Sequence, residues 1–209
     1  MKIILPIILL LFYNFSISQL TEGYIQYDID VKAIDTLNST KQKAALLRDS
    51  KMELYFAEKK IRIDFKMGQI YRSSIRINKS TNAAISLMDS RNGKYATLSY
   101  ADEIKYNNPD TSAICSLINE TKTILGFNCK KAIVTSAGKK SIYWYTTEID
   151  LSNIENQFTN PILPGFPMKF SKEENGMMMT FTASNFMEKI KDKVNTFSTL
   201  PPKGYQISK

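Results

Sequence analysis

Few side chains in this 209-residue chain are of types that do chemistry. They are two cysteines, Cys115 and Cys129; a methionine run, Met177, Met178 and Met179; two acids spaced two apart, Asp28 and Asp30; and an aromatic cluster, Tyr143, Trp144 and Tyr145. Histidine is missing altogether. That excludes a Ser-His-Asp triad, a Cys-His dyad, a histidine general base and every His-ligated zinc or copper centre. Two cysteines are also too few for a four-thiolate zinc or iron–sulfur centre within one chain.

Each remaining group has a bland reading beside its chemical one. In an oxidising compartment Cys115 and Cys129 are expected to bridge, closing a loop of ~15 residues for about 3 kcal/mol. If Leu125-Gly126 turns a hairpin, however, positions summing to about 251 lie opposite each other. Cys115 then meets Ser136 and not Cys129, so the spacing leaves both a bridge and two buried free thiols open. Thioethers are soft enough for copper(I). Strand alternation puts Met177 and Met179 on one face and Met178 on the other, which suits core packing or an adaptable apolar wall. Asp28 and Asp30 have the chemistry of an acid–base pair but stand on a wet strand face. The aromatic cluster reads as a core strand, with carbohydrate stacking as its sharper alternative. No catalytic residue, metal or cofactor is expected.

The elements that position these groups are mostly strands. Ile25, Tyr27, Ile29 and Val31 alternate with Gln26, Asp28, Asp30 and Lys32. Ile61, Ile63, Phe65 and Met67 alternate with Lys60, Arg62, Asp64 and Lys66. Such segments are half-buried antiparallel strands with one wet face. Met52, Leu54 and Phe56 predict a strand before the second of these, and further strands are expected at 70–78, 82–89, 94–100, 127–136 and 140–148. Arg91-Asn92-Gly93-Lys94 and Ala137-Gly138-Lys139 mark hairpins. A late strand runs through Met177, Met179, Phe181 and Ala183, and Tyr205 to Ser208 are placed to close the sheet. Two stretches read as helices: 40–49, capped by Ser39 or Thr40, and 185–194, with Phe186, Ile190 and Val194 on one side. The expected fold is mainly β: a single curved antiparallel sheet, an open half-barrel, with one or two short helices.

Lys2 followed by the apolar run Ile3 to Phe12, then Ser16 and Ser18 at the −3 and −1 positions, reads as a signal peptide over 1–18 cleaved between Ser18 and Gln19. Residues 19–209 then form one β-rich domain, exported to the periplasm or cell envelope, or secreted, and not cytoplasmic. The chain has 28 Lys plus Arg against 20 Asp plus Glu. The positive charge is scattered in pairs, without the basic stripe and stacking aromatics of a nucleic-acid reader, so no nucleic-acid partner is expected. An eight-stranded outer-membrane barrel would share the alternation, but most of these strands are shorter than the roughly 9–11 residues needed to span.

Residues 119–135 (NETKTILGFNCKKAIVT), 143–149 (YWYTTEI), 163–170 (LPGFPMKF), 176–184 (GMMMTFTAS) and 200–208 (LPPKGYQIS) resemble, in that order, a family of uncharacterised exported proteins of Gram-negative bacteria. The related GLPGLI family carries its name motif where Leu163-Pro164-Gly165-Phe166-Pro167 stands here. The resemblance implies a fold similar to the LolA and LolB lipoprotein carriers: an open, strongly curved antiparallel sheet around a small helical plug. It carries over no catalytic residue, and Cys129 matches the family's single recurrent cysteine.

The expected role is non-catalytic binding of an apolar ligand, a lipid or acyl chain, in the curved sheet. The inward face would come from Ile25, Tyr27, Ile29, Phe56, Ile63, Phe65, Met177, Met179 and Phe181. The alternative is an envelope interaction or scaffold module with a filled core and functional loops at 36–50, 101–112 and 150–168. Partners would be a lipid or lipoprotein, or an envelope protein. The oligomeric state stays open.

Overall fold

The structure, a computed structural model, describes residues 19–104, 112–150 and 162–208. The expected signal peptide and parts of two expected functional loops, 105–111 and 151–161, lie outside the described residues.

The protein is mainly β: among the described residues twelve strands form one open, curved sheet, with two short helices. In chain order the elements are β1 (Glu22–Ala33), α1 (Asn38–Leu46), β2 (Ser50–Ala57), β3 (Lys60–Met67), β4 (Tyr71–Asn78), β5 (Ala83–Ser90) and β6 (Gly93–Tyr100). There follow β7 (Ile114–Ile124), β8 (Phe127–Ser136), β9 (Lys139–Thr146), β10 (Phe166–Glu174), β11 (Met177–Met187), α2 (Lys193–Thr196) and β12 (Gln206–Ser208). Across the sheet they run β12-β6-β5-β4-β3-β2-β1-β11-β10-β9-β8-β7. Two antiparallel meanders, β2 to β6 and β7 to β11, thus flank β1. The end strands β12 and β7 are not paired with each other, so the sheet does not close into a barrel. Every pairing between these strands is antiparallel except β12 on β6, which is parallel; outside them an isolated parallel bridge joins Leu20 and Ile149. No helix among the described residues is long and apolar enough to cross a membrane.

The sheet curls toward the face carrying the alternating apolar residues. Phe56 on β2 and Phe166 on β10 are three strand spacings apart, roughly 14 Å along a flat sheet. Their ring centroids are 6.4 Å apart. The curl seals Ile25, Tyr27, Met52, Leu54 and Phe56 completely from solvent. Burying a large apolar side chain contributes about 1.5–3 kcal/mol. The Tyr27 hydroxyl reaches this core only because it donates to the Pro167 carbonyl at 2.8 Å.

Alternation locates β1, β2, β3, β4, β5, β6, β8, β9 and β11 to within a few residues, but two strands escape it. β7 has an irregularity between Ile118 and Thr121 that breaks the period, and β10 carries Pro167 and a charged end. The helix expected at 40–49 starts at Asn38, and its capping is done from outside. Asp35 accepts from the Leu37 N–H at 3.1 Å and from the Thr40 hydroxyl at 2.9 Å, while the position before Asn38 offers no side-chain cap. The helix expected at 185–194 is wrong. Phe186 and Met187 stay in β11, pairing with Ile25 and Tyr24, and Phe186 packs edge-on to Phe127 at 4.8 Å. Only the single turn α2 follows, with Asp192 accepting from the Asn195 N–H. That tertiary contact outweighs a weak helical pattern.

Beyond β11 the chain becomes a strap across the opposite face of the sheet. Ile190 and Phe197 pack on Ala57 and Tyr55, Lys193 pairs with Glu22, and Tyr205 packs on Ile85, Leu87 and Ala96. On the core side, α1 is held by close approach to the β3–β4 turn. Gly68 has φ +51°, and a Cβ there would sit 2.0 Å from the Leu46 carbonyl oxygen. Gly68→Ala should therefore destabilise the fold by about 1–3 kcal/mol in urea unfolding. An unchanged midpoint would mean that α1 does not dock there.

Candidate functional site

The nine residues expected to face a ligand come together. Ile25, Tyr27, Ile29, Phe56, Ile63, Met177, Met179 and Phe181 lie buried in one cluster, and Phe65 packs against it half-buried. Around β1, β2 and β11 the curved face is therefore filled by its own side chains.

Farther along, the same face opens. Register carries one row of side chains from Tyr27 through Met52, Phe65, Ser73 and Met88 to Tyr95. Tyr27 and Met52 are fully buried, whereas Met88 and Tyr95 are 41% and 40% exposed. The neighbouring row runs Leu54, Ile63, Ile75, Ser86, Thr97 and passes from buried to exposed in the same direction. Small residues replace bulky ones as the core gives way to solvent. At the end of this opening, between α1 and the β5–β6 turn, lies a cleft of about 440 Å³. Leu46, Ile70, Tyr71 and Met88 give it apolar walls, and Arg91 and Asn92 stand at its edge. An adjoining cavity of about 710 Å³ adds Arg48, Lys66 and Arg72. The cleft is mainly apolar and the adjoining cavity mainly charged, and an apolar concavity with polar groups beside it to orient a guest is what small-molecule sites offer.

The sequence did not point to Leu46, Tyr71 or Met88. The signal was present in Met88, an apolar residue on the inward side of a strand whose neighbours there are serines.

The other singled-out groups are used structurally. Asp28 lies 3.8 Å from Lys51 and Asp30 2.9 Å from Lys32, both exposed pairs of the kind that contribute little. Tyr143 stacks on Phe170 at 5.8 Å, and Phe170 on Phe181 at 4.6 Å. Lys122 sits 4.0 Å over the Trp144 ring, with Lys131 at 5.7 Å, and Tyr145 is buried with Ala132, Val134 and Leu163. Met177 and Met179 are buried while Met178 is not, as alternation requires. No group of three or more Cys, Asp or Glu suited to a metal occurs among the described residues.

Cys115 and Cys129 are both free, which removes the bridge from the two outcomes the spacing left open. The Leu125-Gly126 turn forms as expected, with both residues at positive φ, and sets Cys129 opposite Lys122. The irregularity in β7 then shifts the register by two, so that Cys115 faces Val134. Burial pushes the Cys129 thiol up to about 11, against the opposing pulls of the Ile124 backbone and Lys122. Cys115 is only half-buried. In the native protein one thiol equivalent, Cys115, should react with a thiol reagent at neutral pH, and two after denaturation. Two fast native equivalents would contradict this packing.

Burial raises five tyrosines, Tyr24, Tyr27, Tyr55, Tyr71 and Tyr145, and three of them lie together on β1 and β2. Burial raises Tyr27 well above its ordinary value of 10.0. Burial, with the charge of Glu53 second, raises Tyr24 and takes Tyr55 to about 12. A raised phenol holds its full contribution below the unfolded value and loses it as pH climbs toward the folded one. Stability should therefore be flat in this respect up to about pH 10 and decline above it. Absorbance titration at 295 nm should show these tyrosines ionising together with unfolding; independent ionisation in the folded protein would refute the assignment.

The fold and its cleft define an open curved β-sheet protein with a filled centre and an apolar rim. Residues 37–156, more than half of the chain, match the family described as a domain of unknown function (DUF4412), and the chain belongs to that family. No curated protein matches it. Among solved structures it is similar to PNGF-II, at 15% identity and a TM-score of 0.46. That match covers 90% of this chain but only 30% of PNGF-II, so the chain spans under a third of that protein's length. It is similar also to LprF from Mycobacterium bovis, at 9% identity and TM-score 0.35, covering 81% of this chain and 88% of the other. A LolA superfamily protein, NE2245 from Nitrosomonas europaea, gives 9% identity and TM-score 0.23, with 86% and 90% covered. These likenesses are weak ones.

Proposed function

We propose that the protein is an exported, non-catalytic binding protein that holds an apolar ligand, a lipid or acyl chain, at the open end of its curved face. The observation that carries this reading is the opening of the inward face. It runs from the sealed core at Tyr27 and Met52 through Phe65 and the small Ser73 to the exposed Met88 and Tyr95, beside a cleft walled by Leu46, Ile70 and Tyr71. Side chains that fill a closed core have no reason to continue into solvent along one row, whereas a bound chain would complete their burial. The contacts then shift from the nine core residues toward the rim, with Phe65 as the link. Export rests on the leader-like residues 1–18 and would place the protein in the periplasm or envelope.

Native mass spectrometry of the protein purified gently from an exporting host tests this. The expected result is a reproducible extra mass lost on organic extraction, and lost also in Met88→Asp at an unchanged thermal midpoint. Ile63 is unsuitable as a probe because it is buried in the core. A bare polypeptide mass, or equal retention by Met88→Asp, would sink the binding role.

The second reading, an envelope interaction module, is favoured by Ile114 and Leu117, which are exposed on the outermost strand β7. It would place the partner there, leaving the cleft empty.

A further inference from the structure

The face turned away from the core carries a run of like charges in which Lys66 has a cation opposite it on both sides. Register sets Lys51 opposite Lys66, and Lys66 opposite Arg72, so three cations stand in a row across β2, β3 and β4, with Asp28 opposite Lys51 at one end and Asp89 opposite Arg72 at the other. Two rows away Arg62 stands opposite Arg76. Adjacent strands are about 4.8 Å apart, and like charges directly opposite each other destabilise a sheet.

The nearby acids are engaged elsewhere. Asp64 accepts from Arg62 Nε at 3.0 and 2.9 Å and pairs with its Nη2 at 2.6 Å. Glu53 accepts from the hydroxyls of Tyr24 and Tyr55 at 3.0 and 3.3 Å. Asp89, opposite Arg72, pairs with Lys94, and Asp28 lies 3.8 Å from Lys51. Arg76 donates to Ser74 Oγ at 3.3 Å and to the Ser198 carbonyl at 3.1 Å. No carboxylate among the described residues lies within ion-pair distance of it. A guanidinium has five N–H donors, so some of its capacity is unused. Among the described residues the side chains of Lys66 and Arg72 make no hydrogen bond or ion pair. Burial, with the charge of Arg62 beside it, pulls Arg76 below the usual arginine range. The group is thus short of negative charge.

Lys51, Arg62, Lys66, Arg72 and Arg76 line a cavity of about 350 Å³, with the engaged acids Glu53 and Asp64 and Ser74 in its wall and Pro202 and Tyr205 of the strap along one side. We propose that this cavity is an oxyanion site for a phosphate-bearing ligand, an organic phosphate or pyrophosphate group, held by Arg76 and Arg72 with Lys66 and Lys51 around it. Planar guanidinium forks match phosphate oxygens, and the ammonium groups add charge without demanding geometry. The bland account, that the arginines only tether the strap, covers Arg62, which donates to the Thr196 carbonyl, and Arg76. It leaves Lys66 and Arg72 without a reason, since among the described residues neither side chain makes a hydrogen bond or ion pair, whereas Lys51 has Asp28. Lys66 and Arg72 also border the cavity that adjoins the apolar cleft, whereas Lys51, Ser74 and Arg76 line this one alone, and the site does not rest on ligand binding in the cleft.

The test is calorimetric titration of the purified protein with pyrophosphate and with glucose 6-phosphate, beside co-sedimentation with phosphatidylglycerol vesicles. The variants are Lys66→Gln/Arg72→Gln, which have no internal partner to lose, and Arg76→Gln. Saturable one-to-one binding of a soluble probe, weakened ~10-fold or more in both variants at the double variant's unchanged thermal midpoint, is expected for loss of charge-assisted contacts. Vesicle binding alone, lost in the same variants, would assign the phosphate to a lipid headgroup and equally support the site. No binding of any probe by the wild type, or equal binding by both variants, would overturn it.

Discussion

The fold depends on β1 finding two partners at once. It joins the meander β2 to β6 through β2 and the meander β7 to β11 through β11. Its inward residues Ile25, Tyr27 and Ile29 are the floor of the core, and they are covered only when both halves curl over them. One partner is close in sequence: Ile29 pairs with Ser50. The other is remote, since Tyr24 pairs with Met187. A contact of that span must be made late and against substantial loop-closure entropy. The hydrogen bond from Tyr27 to Pro167 crosses the same seam, so the buried phenol is satisfied only in the assembled sheet.

Once that seam is closed, the two faces of β2, β3 and β4 take different parts. Toward the core the rows are Met52, Phe65 and Leu54, Ile63; away from it they are Glu53, Asp64 and Lys51, Lys66. Period-two alternation makes this division unavoidable, because every inward apolar residue is bracketed by outward ones. The strap then turns the outward side of β2 to β5 from an ordinary wet surface into a covered one. Ile190, Phe197 and Tyr205 each find an apolar patch beneath them, and Arg62 and Arg76 donate upward to its backbone.

Much of this was legible in the residues. Alternation gave most strands and the inward set from Ile25 to Phe181, because a side chain's face follows from counting by two. It did not say how full the inward side would be. That depends on curvature, and curvature is visible only in a contact such as Phe56 with Phe166. β7 and β10 were hidden by a register irregularity and an internal proline. The apolar spacing at 185–194 fits a helix and a bulged strand end alike, and pairing with β1 decides between them. The cation rows were within reach: the wet residues Arg62 and Lys66 are apparent from β3 alone, and a turn at Gly68 to Ile70 sets them opposite Arg76 and Arg72. What sequence lacks is the strap, since nothing in residues 188–205 announces which face they will cover.

The short parallel strand β12 has a consequence for how copies of this protein can meet. An open sheet exposes two margins, each a template for strand addition. Here one margin is blunted by three residues of the chain itself, seated on Tyr95 to Thr97. Among the described residues only β7 presents a long bare margin, and its register irregularity and the Glu120–Lys131 pair already roughen it. A molecule with one usable margin can join a second copy through a two-fold pairing, but that pairing consumes the margin of both. Growth by edge addition therefore ends at two, and the fold carries its own stop against filaments.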